Sequence, residues 1–160
     1  MFRLPIERTP DGDFRLTLSG DERELLRGLP AQLRSLLEAD PADSALRRLF
    51  PPAYEEDPES EDEYRRLMRD ELLDGRRAAL KILETTAGHD RLSEEDVHAW
   101  IGALNDLRLV LGTRLDVTEE VYEAELDPGD PQAPELAVYG YLTWLQDSLV
   151  SAVADAFPSP

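Results

Sequence analysis

DEYRRLMRDELLDGRRAALKILETTA, residues 62–87, is the stretch whose reading decides the fold. Tyr64, Met68, Leu72, Gly75, Ala79, Ile82 and Thr86 fall on one stripe at helical spacing. Gly88 follows as a residue able to end a helix in the left-handed conformation. The spacing predicts one long helix. At about 100° per residue, Arg65, Arg69 and Arg76 gather within about 40° on the opposite side. Arg66 and Arg77 widen them into a ridge about 18 Å long.

Toward the C-terminus, Ser93 is placed to cap a second helix whose first turn, Glu94, Glu95 and Asp96, suits a positive helix end. Its buried face is expected at Val97, Trp100, Ile101, Leu104, Leu107 and Leu111. Gly112 is expected to end it, with Arg114 bonding the last carbonyls or Asp116. A short helix over Thr118–Leu126 and a loop through Pro128, Gly129, Pro131 and Pro134 lead to a final helix from about Glu135 to Phe157. Between Leu136 and Phe157 only Asp147 and Asp155 are charged, and apolar residues nearly encircle that helix. A helix of this kind is either the centre of the fold or pressed against a second subunit.

Toward the N-terminus, residues 55–63 read as a mobile acidic loop whose end can enter the helix from 62, and Ser44–Phe50 as a helical turn closed by Pro51-Pro52. Leu25, Leu29, Leu33, Leu36 and Leu37 form a helix up to about Ala39, capped by Ser19 with Glu22 as its capping-box partner. Pro30 is expected to kink or split it. Phe2, Leu4 and Ile6, then Phe14, Leu16 and Leu18, alternate with polar neighbours about the Thr9-Pro-Asp-Gly-Asp13 turn, which predicts a β-hairpin with Pro5 at an edge. The fold class is therefore α+β and mostly helical. A single domain over residues 1–160 carries the hairpin (1–18) and five or six helices (19–157), with acidic loops near 55–63 and 127–134.

A chain of 160 residues can bury roughly 70% of its unfolded surface, so no staple is required. It has no cysteine, which removes disulfides, thiolate metal sites and thiol redox chemistry together. Neither a membrane-spanning run nor a signal-peptide core is visible, so a cytoplasmic protein is expected. The net charge is −18, and it is uneven. Residues 55–63 hold seven acids and no base, and residues 119–135 again hold seven and none. Residues 64–87 reverse the sign, with six bases against four acids.

Chemistry-bearing constellations are sparse. His89 and His98 cannot complete a zinc site without carboxylates at an unsupported spacing. The acidic loops lack the alternation around a turn glycine that calcium loops need. No phosphate-cradling glycine motif and no nucleophile elbow occurs. The sequence therefore predicts no enzyme, no cofactor and no metal. It also speaks against a helix-turn-helix, because Glu94, Glu95 and Asp96 would meet the phosphates.

Several motifs occur together: Met1-Phe2-Arg3, the hairpin, Glu24-Leu25-Leu26-Arg27, Pro51-Pro52-Ala53-Tyr54 before the acidic loop, Leu109-Val110-Leu111-Gly112-Thr113-Arg114-Leu115, and Tyr139-x-Tyr141-Leu142-Thr143-Trp144-Leu145-Gln146. With these the chain resembles, over nearly its whole length, an actinobacterial family of unknown function now called oxidative-stress-regulator-like. The resemblance implies a non-enzymatic cytoplasmic regulator, connected by name to transcriptional control under oxidative stress. It also implies a gene neighbourhood shared with proteolysis adaptors. Any oxidant sensing by this chain has to proceed without thiols of its own.

Two function classes follow. One is a regulator acting on a protein partner, such as the transcription machinery, or on DNA. Its ridge of Arg65, Arg66, Arg69, Arg76 and Arg77 would hold phosphates or carboxylates, although the net charge disfavours DNA. The other is a helical adaptor or structural partner in protein turnover that binds no nucleic acid. Homodimerisation through the last helix, with Tyr139, Tyr141, Trp144, Leu145 and Leu149 at the interface, is compatible with both.

Overall fold

The computed structural model describes residues 4–39, 57–114 and 131–155. Alternating Ile6, Phe14 and Leu16 drive their side chains to one side, and the chain forms β1 (Ile6–Arg8) and β2 (Phe14–Leu16), paired antiparallel with Ile6 opposite Leu16. The turn closes as its residues require. Gly12 takes a φ of 92°, the Thr9 amide donates to the Asp13 carbonyl at 2.8 Å, and the Thr9 hydroxyl donates to Asp11. A third strand, β3 (Arg91–Leu92), lies on the other side of β2, so the hairpin becomes a three-stranded sheet in the order β1-β2-β3. The sequence reading had only a turn there.

Helix α1 (Gly20–Ala39) starts as its capping box dictates: the Glu22 amide donates to Ser19 Oγ at 3.2 Å and the Ser19 amide to Glu22 Oε1 at 3.1 Å. It runs on through Pro30, which is buried, so the proline does not split it. Helix α2 (Pro58–Thr86) begins earlier than expected. Asp57 caps it, accepting from the Ser60 amide at 3.3 Å, and proline stands at its first position. Residues 58–61, expected in a mobile loop, are therefore its first turn. The acids gathered there suit the positive end of the helix. Helix α3 (Glu94–Arg114) repeats the reciprocal cap, with the Asp96 amide donating to Ser93 Oγ at 3.1 Å and the Ser93 amide to Asp96 Oδ2 at 3.3 Å. Gly112 does not end this helix; it sits buried within it. Helix α4 covers Ala133–Asp155, so residues 133 and 134 belong to the helix and not to the preceding loop. The short helices expected at Ser44–Phe50 and Thr118–Leu126 lie outside the described residues.

α3 is the centre of the described fold. It packs on α2, α4 and α1, while α1 also meets α2 and α4 covers β1. Trp100, Ala103, Leu104, Leu107 and Val110 of α3 meet Leu80 and Leu83 of α2, Leu26 and Leu33 of α1, and Leu142, Leu145 and Leu149 of α4 in one core that also takes Ile6, Phe14, Leu16 and Leu92 from the sheet. Trp100 is fully buried, and its Nε1–H is satisfied by Thr86 Oγ at 2.7 Å. Two expectations are corrected. α4 is not encircled: it buries Leu136, Leu142, Leu145, Leu149 and Ala152 on one face and leaves Trp144 and Val150 exposed. Helix α2 buries Leu73, Leu80, Leu83 and Thr86, with Ala87 just past its end; Leu73, Leu80 and Leu83 lie about 100°, one residue, from the expected stripe, of which Thr86 alone is buried among the described side chains. Gly75 faces outward and Ala79 and Ile82 are half-buried.

Candidate functional site

That rotation decides the fate of the arginines. Arg76 follows Leu73 by three residues and precedes Leu80 by four, so it belongs to the buried stripe of α2 and points at α3. There Arg76 Nη1 donates to Oδ1 of Asp106, whose side chain is only 7% exposed. Burial pushes the Asp106 carboxyl above its ordinary range, because the loss of water outweighs the pull of the Arg76 guanidinium. The pair lies between α2 and α3 and joins them. Arg77 is half-exposed and lies 3.7 Å from Asp74 on its own helix. Arg65, Arg66 and Arg69 lie on α2, toward its N-terminus. The ridge is thus divided: one member is turned inward and one rests against a neighbouring acid.

The five residues read as an interface on α4 are divided as well. Leu145 and Leu149 are fully buried in the chain's own core. Tyr141 is half-buried, and its hydroxyl donates to Glu22 Oε2 at 2.8 Å. The same carboxylate caps α1 through its other oxygen, so this bond ties α4 to the start of α1. Burial, then Glu22, pushes the Tyr141 hydroxyl above the usual phenol range. Tyr139 is half-buried with the Arg108 guanidinium 5.8 Å above its ring. Trp144 is 47% exposed and tilts against Tyr141 with ring centroids 5.8 Å apart. Of the five, Trp144 alone is an exposed side chain.

A further arginine, not singled out by the sequence, holds the sheet to the helices. Arg23 of α1 donates from Nε to the Leu18 carbonyl at 3.2 Å, and from Nη1 to the carbonyls of Ala87 at 3.1 Å and His89 at 2.6 Å. From Nη2 it donates to the Leu16 carbonyl at 3.4 Å and Asp90 Oδ1 at 3.1 Å. A guanidinium has five N–H donors, and here each has an acceptor. The only sequence signal for this would have been the closeness of Arg23 to the Ser19 cap, since Ala87, His89 and Asp90 lie more than sixty residues along the chain.

His89 and His98 are exposed and apart; His98 Nε2 stands 3.8 Å from Glu94 on its own helix. Among the described residues no group of three or more His, Cys, Asp or Glu side chains is placed to hold a metal, and no helix is long and apolar enough to cross a membrane. What the described surface offers is arginine chemistry and one exposed tryptophan.

Comparison with known proteins agrees with the motifs. A family model described as Domain of unknown function (DUF2017) matches residues 2–153. Proteins named oxidative stress regulator AosR from Mycobacterium tuberculosis and Mycobacterium bovis are each 32% identical, over 89% of this chain and 83% of theirs. A putative oxidative stress regulator AosR from Mycobacterium leprae is 34% identical over 83% of this chain and 67% of its own. No solved structure matches. A match over nearly every residue, with relatives aligned along most of both chains, shows that the chain belongs to the DUF2017 family, together with the mycobacterial AosR proteins.

Proposed function

We propose that this chain is a non-enzymatic regulatory protein that works by binding a protein partner. The observation that carries the regulatory part is its alignment with proteins named as oxidative stress regulators over most of both chains. A protein partner is favoured over DNA by charge. A net −18 repels a phosphate backbone, and the ridge that would offset it has Arg76 turned to Asp106 and Arg77 set against Asp74. With no cysteine in these 160 residues, an oxidative signal reaches the chain through its partner and not through a thiol switch of its own.

The test is retention of partners from native cell extract by the tagged full chain, with and without nuclease. The reading expects a stoichiometric protein that survives nuclease and belongs to the transcription apparatus. Bound DNA that is released steeply by salt, and lost on charge reversal at Arg65 and Arg69, would replace it with the DNA reading. A component of a protease as the stoichiometric partner would replace it with the adaptor reading. Arg76 is unsuited to this test, since reversing it would strand a buried carboxylate.

A further inference from the structure

On the solvent side of the small sheet, Glu7, Arg15 and Arg91 stand in one row across β1, β2 and β3, each exposed. The hydrogen bonds fix how close each pair comes. The Leu16 amide donates to the Asp90 carbonyl at 2.8 Å, so Leu16 and Asp90 are a hydrogen-bonded pair, and the adjacent Arg15–Arg91 pair is a non-hydrogen-bonded one. Such pairs bring the Cα atoms to about 4.5 Å, with side chains close together. On the other side of β2 the Thr17 amide donates to the Pro5 carbonyl and the Thr9 amide to the Asp13 carbonyl. Glu7–Arg15 is therefore a hydrogen-bonded pair, at the wider spacing of about 5.5 Å. The sheet thus gives the closer position to two like charges and the wider one to the opposite charges. Like charges directly opposite destabilise a sheet.

The neighbours relieve this only in part. The Arg15 side chain forms no hydrogen bond or ion pair among the described residues. Arg91 uses only its Nη2, toward Asp11 at 3.2 Å. Arg23 is saturated, with Asp90 as its one acidic acceptor. Beside the pair lies an open hollow of about 550 Å³ lined by Arg15, Thr17, Leu18, Arg23, Asp90 and Arg91. Arg23 braces its wall without donors to spare, and Arg15 and Arg91 bring unengaged ones. Asp11, Asp90 and Glu7 set a limit on the anion: its gain has to come from forked contacts with the two guanidinium groups, since the local charge is nearly balanced.

From this we infer that Arg15 and Arg91 form an oxyanion-binding site, taking one phosphate or carboxylate group between their two guanidinium planes. The site lies on the sheet, away from the arginines of α2, and stands whether or not the regulatory reading does. Free phosphate and an acidic side chain share this chemistry, and two probes separate them. Inorganic pyrophosphate and an acetylated tetraglutamate peptide are each titrated into the full chain while the arginine Nε–Hε resonances are followed by NMR. Saturable shifts at Arg15 and Arg91 with at least one probe are expected in the parent chain, and the affinity for that probe, read by calorimetry, should fall on the order of tenfold or more in the Arg15→Gln/Arg91→Gln variant and stay unchanged in Lys81→Gln. The tighter probe names the source. Absence of saturation with both, or binding that the double variant leaves intact, overturns the site. A second measurement needs no ligand: relief of the like-charge pair should raise the melting temperature of Arg15→Gln by about 1–4 °C. A fall would mean that Arg15 stabilises the free protein, and the argument for a site would be lost.

Discussion

Arg23 and Arg76 are both arginines that join distant parts of the chain, and their surroundings could hardly differ more. Arg23 reaches from α1 to the turn between α2 and β3, and its acceptors are four backbone carbonyls and one carboxylate that is 92% exposed. Arg76 reaches from α2 to α3, and its acceptor is a carboxylate 7% exposed that water can barely reach. The first is a clasp of mainly neutral bonds, the second a charge pair inside a helix interface. A clasp loses what it bonds when removed. A buried pair, when half removed, leaves a bare charge as well. The difference fixes an order of effects.

The largest falls at the buried pair. Arg76→Ala leaves Asp106 between α2 and α3 without a counter-ion, and a loss of about 3–5 kcal/mol in urea unfolding is expected. Arg76→Ala/Asp106→Ala should be less harmful than Arg76→Ala alone. If the double variant is worse than the single one, the comparison breaks, because Asp106 would then be stabilising without its partner. Next comes the clasp. Arg23→Ala should lose about 2–3 kcal/mol, since five hydrogen bonds go but exposed acceptors regain water. Arg23→Lys, which keeps the charge with three donors in place of five, should recover no more than half of that. Full rescue by lysine would mean that charge toward Asp90 carries the clasp, not the fork of donors.

Why Arg23 went unread and Arg76 was misplaced is a matter of range. The caps at Ser19 and Ser93 could be read because their partners, Glu22 and Asp96, are three residues away. The hairpin was readable from its turn, where Gly12 supplies the left-handed residue. The two-residue β3 has no periodicity of its own and exists because β2 offers an edge. On α2, apolar residues occupy two neighbouring rows. Leu73, Leu80 and Leu83 compete with Ala79 and Ile82 for the core, and only the facing Trp100 and Leu104 of α3 decide between them. Choosing the wrong row turned Arg76 outward. Trp144 was readable as an aromatic on an apolar helix; that Leu145 and Leu149 face inward while it faces outward needed the position of α3. Gly112 was read as a terminator, yet intrahelical packing accommodates it buried within α3.

A third way to sharpen the comparison is pH. Burial raises the folded-state pKa of Asp106 above its ordinary 3.8, so within the window from about pH 4 up to that raised value the folded chain holds a proton that the unfolded chain has lost. Its contribution is therefore fully present in acid and lost as pH rises through the folded value. Asp57 works the opposite way, since the Ser60 bonds lower its pKa and their benefit fades in acid. Asp106 has to be isolated by difference. The stability of the parent chain relative to Asp106→Asn should improve on going from pH 7 toward pH 4. A difference that shrinks in acid would mean that Arg76 outweighs burial, making the pair an ordinary stabilising salt bridge.

The smallest effect belongs to the third kind of arginine on α2. Arg77 Nη1 stands 3.7 Å from Asp74, which is 77% exposed, one turn earlier on the same helix. Such a pair gains little Coulomb energy against water and salt, and holding two long side chains together costs conformational entropy. Arg77→Ala should change stability by less than about 0.5 kcal/mol, and most of that small change should disappear at 1 M salt, where the screening length falls to about 3 Å. The contrast with Arg76, its immediate neighbour in sequence, is then a matter of roughly a factor of ten produced by one residue of helix rotation. Because Arg77→Ala leaves the fold intact, it also reports on function in a way that Arg76→Ala cannot. If a protein partner grips Arg77, retention of that partner by Arg77→Ala should weaken while the melting curve stays in place. Unchanged retention would move the partner's contact off this part of α2, leaving the sheet and the Trp144 side of α4 as the surfaces to test.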